Sequence, residues 1–166
     1  KVRRFEEGVF SNCFNLSSIG TGDVHYFGTK AFNSCLKLKT VSTRSLQEMG
    51  DSVFYKCTSL QEISIPNTVK SIGEKAFTDC TALTRVGIHG ATLIKQYAFF
   101  GCTALQYVYM PASMQTIKYG AFYGCSALTR VFYKGSYTQW KGIRIEAEND
   151  VLKDESKIVY NANNSY

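Results

Sequence analysis

The chain has 166 residues, of which 45% are hydrophobic and 19% are charged, and its formal net charge is +6. This composition is ordinary for one soluble globular domain. No apolar run approaches the roughly 18 residues needed to cross a bilayer, so no membrane span is expected in this chain. Lysine and arginine are spread over the chain and do not follow one groove, which argues against nucleic-acid binding despite the positive charge.

One motif, A-F-x-x-C-x-x-L-x-x-V, recurs at steps of 22 or 23 residues. Self-similarity at such a period predicts a solenoid, which buries its core between successive coils. Leucine and then valine or isoleucine follow the anchor of each repeat after six and nine residues, and an apolar pair precedes it by eight and five residues. The anchors are phenylalanines: Phe10, Phe32, Phe54, Phe77, Phe99 and Phe122.

The first residues already fit this frame. Val2 and Phe5 are the apolar pair that precedes the first anchor, but the preceding half of their repeat is missing. We therefore expect the chain to begin partway round a coil and to be a fragment of a longer protein.

Each repeat divides into segments of different local pattern. The Leu-x-x-Val-x-Ile segment, such as Leu60 to Ile65, alternates apolar and polar residues and is rich in β-branched side chains, which predicts a short strand. Pro66 and Pro111 close this strand in two repeats, since proline cannot continue a ladder. The A-F-x-x-C segment has the one-turn spacing of a short helix, either 3₁₀ or α. We expect about six parallel strands and little long helix.

The residues after Cys125 lack a further anchor and predict a closing segment over residues 134–166. A solenoid must cover its last hydrophobic coil, and Trp140 is large enough to lie across that open end. Ile143 and Ile145 alternate as in a strand, and we expect residues 162–166 to be frayed.

The repeats resemble the BspA-like leucine-rich repeat family, whose consensus carries A-F-x-x-C-x-x-L-x-x-I-x-I-P and V-x-x-I-G. The match covers residues 2–133, although Thr21 and Thr43 stand where an apolar residue is usual, which leaves the ends of the first two strands undefined. The resemblance implies a leucine-rich repeat solenoid: a right-handed coil with one parallel β-sheet on its concave face and short helical turns or irregular structure on its convex side. Residues 1–133 would form about six repeats, and residues 134–166 the C-terminal cap.

The cysteines occupy one column, three residues after each anchor. Equivalent positions on adjacent coils lie about 5 Å apart, but their Cβ vectors run parallel, which disfavours disulfides. We interpret them as a stack of buried free thiols that act as small hydrophobes. Pairing of some neighbours and metal binding are the alternatives, and no zinc module has this spacing. The column contains Cys13, Cys35, Cys57, Cys80, Cys102 and Cys125.

The sequence gives little sign of catalysis. His25 and His89 are the only histidines, and neither lies beside a predicted nucleophile at a repeat-matched position. No glycine-rich phosphate-binding run is present. We expect a non-enzyme without a cofactor or a bound metal.

The outward positions of the predicted strands supply the candidate binding site. They lie eight and ten residues after each anchor, opposite the buried columns, and are small and polar in the first coils. In the last three coils they combine aromatic and arginine side chains, a mixture enriched at binding hot spots. Cross-strand packing that only stabilises the sheet is the alternative role. The candidate residues are Arg85, Tyr107, Tyr109, Arg130 and Phe132.

The family resemblance implies an extracellular or cell-surface module for adhesion and protein binding, since proteins of this type are mostly bacterial surface proteins that bind host, matrix or other cell-surface proteins. We expect a monomer that recognises a protein ligand through its concave face. A structural spacer or a glycan-binding appendage of a larger surface protein is the alternative.

Overall fold

The computed structural model describes residues 2–163 and consists of two rows of parallel strands joined by turns. The first row follows the Leu-x-x-Val-x-Ile segments. It contains β2 (Ser18–Ile19), β4 (Thr40–Val41), β6 (Glu62–Ile65), β8 (Arg85–Ile88), β10 (Tyr107–Met110), β12 (Arg130–Tyr133) and β14 (Ile158–Val159). The second row follows the apolar pair before each anchor. It contains β1 (Arg4–Phe5), β3 (Tyr26–Phe27), β5 (Glu48–Met49), β7 (Ser71–Ile72), β9 (Leu93–Ile94), β11 (Thr116–Ile117) and β13 (Arg144–Ile145).

The first row confirms the predicted parallel strands and their register. Val86 of β8 aligns with Val108 of β10, which aligns with Val131 of β12. All three valines are fully buried. The alternation of the motif therefore places one apolar column inside the solenoid and leaves the residues between on its surface.

The second row is an addition to the single sheet that the sequence predicts. Its strands are two residues long, as in the pairing of Ser71 and Ile72 with Leu93 and Ile94. A strand of this length carries no full period of alternation, so its sequence does not distinguish it from a turn. The solenoid thus has parallel strands along two of its sides.

Both rows are interrupted within the described residues. The first row divides into β2–β4 and β6–β8–β10–β12–β14, and the second into β1–β3–β5 and β7–β9–β11–β13. At these gaps threonine hydroxyls donate to carbonyl oxygens of a neighbouring coil, Thr43 to Ser64 and Thr68 to Leu46. The buried Thr43 is also the residue that departs from the consensus, and β4 stops before it.

The A-F-x-x-C segments are successions of tight turns, which confirms the irregular structure expected on this side, whereas no regular 3₁₀ or α helix forms in them. Alternate N–H groups bond within the segment and to the next coil: Cys80 N donates to Phe77 O at 3.1 Å, while Phe77 N donates to Ala98 O at 2.7 Å. In a helix all of these N–H groups would donate along the helix axis to carbonyl oxygens of the same segment, and none would reach the next coil. The two residues that flank each anchor at a distance of two have positive φ: Gly8, Asn12, Lys30, Ser34, Ser52, Lys56, Lys75, Asp79, Tyr97, Gly101, Gly120 and Gly124.

The anchor phenylalanines form one continuous stack through the core. Successive rings lie 5.1 to 5.3 Å apart and are inclined by at most 16° from Phe10 to Phe122. Stacked rings at this separation add to the free energy gained from burying their area. Most predicted core positions are buried, but Val2 is 63% exposed and the burial predicted for it is wrong.

The cysteines are free thiols, and five of the six are buried. Each buried Sγ donates to the carbonyl oxygen of an anchor phenylalanine, as Cys80 does to Phe54 O at 3.0 Å. Burial raises the pKa of Cys35 to about 11 and that of Cys125 to about 12. Cys13 is exposed, because no described coil lies beyond it, so the prediction of a fully buried column is wrong at that residue.

We expect a thiol reagent to modify Cys13 quickly in the folded protein and the other five cysteines only after unfolding. Buried thiols are inaccessible, and their raised pKa leaves little of the reactive thiolate. Titration with a chromogenic disulfide reagent, with and without denaturant, measures both populations. Cys13→Ser should remove the fast phase, and disulfide-linked peptides from the unreduced protein would contradict the prediction.

The C-terminal segment extends each row by one strand. It contains α1 (Tyr137–Lys141) and two 3₁₀ helices (Asp150–Leu152 and Glu155–Lys157), while β13 pairs with β11 and β14 with β12. Helix α1 begins with a capping box between Ser136 and Gln139. Fraying was expected of residues 162–166, but Ala162 N donates to Tyr133 O at 3.0 Å, so the expectation is wrong at Ala162. Residues 164–166 lie outside the described residues.

Candidate functional site

The structure brings the five predicted site residues together on the outer face of the first row. Tyr107 aligns with Arg85 on one side and Arg130 on the other, and Tyr109 aligns with Phe132. The rings of Tyr109 and Phe132 stack at 4.8 Å with an angle of 13°, and Tyr107 lies 6.3 Å from Phe132. We call these five residues the aromatic patch.

The parallel register produces this cluster. Residues that share a repeat position lie about 4.8 Å apart on neighbouring strands, so aromatic side chains in successive repeats meet. The three aromatic residues of the patch are half-buried, whereas Arg85 and Arg130 are exposed. The patch therefore offers ring faces and edges to a partner, with guanidinium groups on two sides.

The arginines are held near the sheet by local contacts. Arg85 Nη1 lies 3.6 Å from Glu62 Oε2, an exposed pair that contributes little stability. Arg130 Nη1 donates to the carbonyl oxygen of Thr129 at 2.9 Å. Each guanidinium carries five N–H donors in a planar fork that suits a carboxylate of a partner.

A groove of about 1300 Å³ lies beside the aromatic patch and contains residues that sequence reasoning missed. Tyr109 and Arg85 border it, together with Arg44, His89 and Lys134. Arg44, Arg85 and Lys134 are cationic, and the groove lining contains one carboxylate, that of Glu62. The groove is therefore positively charged. The missed residues lie just beyond the strand segments and outside the two outward columns: Arg44, His89 and Lys134. Only their position directly after a strand could have indicated them in the sequence.

His89 contributes polarity without charge. Its Nε2 lies 3.0 Å from the hydroxyl oxygen of Ser64. Burial, and then the positive charge of Lys134, lower the pKa of His89 from its ordinary value. The imidazole is therefore neutral at pH 7, and the groove charge comes from arginine and lysine.

Within residues 2–163 no group of three or more histidine, cysteine or acidic side chains is placed to hold a metal ion. In the part of the chain that the structure describes, no helix has the length and apolar character of a membrane span.

Solved structures with the same architecture come from bacteria. A leucine-rich repeat protein of T. pallidum is 22% identical with a TM-score of 0.70, and the match covers 97% of this chain and 80% of that one. A leucine-rich repeat protein of Bacteroides ovatus is 28% identical with a TM-score of 0.66, over 96% of this chain and 42% of that one. A leucine-rich cell surface protein of Faecalibacterium prausnitzii is 26% identical with a TM-score of 0.60, over 80% of this chain and 43% of that one.

This chain thus spans less than half the length of two of these three proteins. No curated protein matches it. The family model described as BspA type leucine rich repeat region matches six copies over residues 3–129. The chain belongs to the BspA-type leucine-rich repeat family.

Proposed function

We propose that this chain is a non-catalytic protein-interaction module of a bacterial cell-surface protein, and that it binds an acidic segment of a partner protein on the first-row face. The observation that carries the proposal is the aromatic patch beside a positively charged groove. The family and the cell-surface protein among the similar structures support the location. Adhesion to a host, matrix or neighbouring cell-surface protein is the role we propose, with the module acting as a monomer.

Physical reasons favour this face as the interface. Tyrosine and phenylalanine bury a large area at low conformational cost, and arginine adds directional donors for carboxylates. The groove adds cations that attract an acidic partner and speed its association. The first two coils present Ser18, Thr40 and Ser42 at the equivalent outward positions and offer no such anchors.

We expect Tyr109→Ala or Phe132→Ala to weaken binding of a protein partner by about 1 to 3 kcal/mol. The partner is first identified by screening purified host, matrix and bacterial surface proteins, and affinity is then measured by calorimetry. Ser18→Ala is the matched control, because Ser18 is an exposed residue of the same face that does not border the groove, and its substitution should be silent.

Circular dichroism of each variant separates a loss of binding from a loss of folding, since Tyr109 and Phe132 also pack on each other. If both aromatic variants fold normally and bind with unchanged affinity, the aromatic patch is not the interface. If the chain binds none of the screened proteins and serves only to space other domains, the proposed function is wrong.

A further inference from the structure

A second surface feature lies on the turns, on a different face from the aromatic patch. The residue directly after each anchor points outward there, and this column reads Ser11, Asn33, Tyr55, Thr78, Phe100 and Tyr123. Thr78 is therefore a short side chain between two aromatic ones. A cavity of about 620 Å³ opens at this place. We call it the Thr78 notch, lined by Lys30, Tyr55, Lys75, Thr78, Asp79 and Phe100.

The gap between the aromatic walls of the notch has the width of one six-membered ring. Neighbouring coils are about 4.8 Å apart, so Tyr55 and Phe100, two coils apart, are separated by about 10 Å. Carbon atoms pack at about 3.5 to 4.0 Å, and two such contacts leave room for a single ring between the aromatic walls. Thr78 forms the floor: it is 6% exposed, and its hydroxyl donates to Tyr97 O at 2.7 Å.

The Phe100 wall is fixed by other exposed aromatic residues. Phe100 stacks on Tyr123 at 5.4 Å with an angle of 10° and meets Tyr97 edge to face at 5.7 Å. Tyr97 in turn contacts Tyr119 at 5.7 Å. A wall held from behind needs no ordering when a ligand enters, which lowers the entropic cost of binding.

Charged groups at the rim of the notch are open to a ligand. Within residues 2–163, neither the Asp79 carboxylate nor the Lys30 ammonium forms a hydrogen bond or an ion pair. Gly101 keeps the carboxylate accessible, since a Cβ there would lie 2.7 Å from Asp79 Oδ1. Lys75 contributes a second ammonium, 3.4 Å from the half-buried Glu74.

We propose that the Thr78 notch binds a pyranose ring of a glycan. A pyranose has an apolar face of C–H groups, which suits the aromatic walls, and a rim of hydroxyls that both donate and accept. Those hydroxyls would satisfy Asp79 and Lys30 together. A purely apolar aromatic side chain would instead bury the carboxylate without a donor, at a cost of at least one hydrogen bond. This site is independent of the protein interface proposed above.

The test fills the notch with an aromatic side chain in place of Thr78, as the neighbouring coils have at this position. Thr78→Tyr should retain the fold, since Tyr55, Phe100 and Tyr123 occupy the same column. Saturation-transfer NMR and calorimetry would measure the binding of five sugars: lactose, maltose, N,N′-diacetylchitobiose, mannobiose and 3′-sialyllactose. We expect at least one of these to bind with a dissociation constant of about 1 mM or tighter, and Thr78→Tyr to weaken it about tenfold or more.

Asp79→Asn provides a second variant that keeps the shape of the notch. Asparagine tolerates the positive φ of Asp79, so folding is preserved while the anionic acceptor is lost. This variant should also lower the affinity for the sugar, whereas Tyr109→Ala should leave that affinity unchanged. Failure of the aromatic patch and failure of the notch are therefore distinguishable.

Three outcomes would overturn the proposal. The first is that the wild-type protein binds none of the five sugars. The second is that N-acetyltyrosinamide, a mimic of an aromatic side chain, binds the notch more tightly than any sugar, which would assign the notch to a protein partner. Equal binding of a sugar by wild type and by both notch variants would place the sugar elsewhere and equally exclude the notch.

Discussion

Replacing Asn149 with alanine is expected to lower the free energy of unfolding by about 2 to 6 kcal/mol. Asn149 is fully buried in the C-terminal segment. Its Oδ1 accepts from Phe122 N at 2.9 Å, and its Nδ2 donates to Lys118 O and Glu146 O, both at 2.9 Å. Alanine would leave the buried Phe122 N–H and the part-buried Glu146 carbonyl without these partners, whereas Lys118 O keeps the bond from Ala121 N at 3.2 Å.

The position of these bonds explains the size of the effect. In earlier coils the anchor N–H donates to a backbone carbonyl of the next coil, as Phe99 N does to Ala121 O at 2.8 Å. After Phe122 the side chain of Asn149 takes the place of that carbonyl. We infer that Asn149 is the residue by which the C-terminal segment closes the turn face of the array.

Urea unfolding followed by circular dichroism would measure the loss. Asn67→Ala is the matched control, since Asn67 is exposed and its substitution should change stability by less than about 0.5 kcal/mol. If the Asn149 and Asn67 variants unfold at the same urea concentration, the closing role of Asn149 is wrong.

Trp140→Ala is expected to lower the free energy of unfolding by about 3 to 5 kcal/mol, as for other buried aromatic truncations. Trp140 lies on α1, is 4% exposed, and meets the ring of the fully buried Tyr133 at 5.3 Å. Tyr133 belongs to the last four-residue strand, so loss of the indole would open that end of the core to water.

A matched variant exists on the same helix. Thr138→Ala changes an exposed residue of α1 and should leave stability nearly unchanged. Differential scanning calorimetry of both variants would compare their midpoints of thermal unfolding. A Trp140 variant as stable as the Thr138 variant would mean that α1 does not cover the core.

The repeated motif made the first row and the core predictable. Each column was sampled six times, so the burial of leucine and valine and the alignment of Tyr109 with Phe132 followed from spacing alone. The turns were not predictable in the same way. Glycine at 101 is typical of a positive φ, but Lys30 and Tyr97 adopt the same conformation because hydrogen bonds to the next coil impose it.

Residues outside the repeat frame were the hardest to interpret. Asn149 lies in a segment without periodicity, where a polar residue is ordinarily taken as exposed. Its burial follows from the orphan N–H of Phe122, which only the three-dimensional arrangement shows. The cationic groove was missed for a related reason, since Arg44 and Lys134 are distant in sequence and line one groove only because the coils stack.

The interruption of both strand rows has a mechanical consequence. Between the N-terminal coils and the rest of the array, the turns still supply backbone bonds, such as Phe54 N to Ala76 O at 2.8 Å. The strand ladders do not continue there within the described residues. A pull along the array would therefore load few hydrogen bonds at that boundary and separate them one after another. The N-terminal coils would extend first under tension, and the remaining coils, with the aromatic patch, would stay folded.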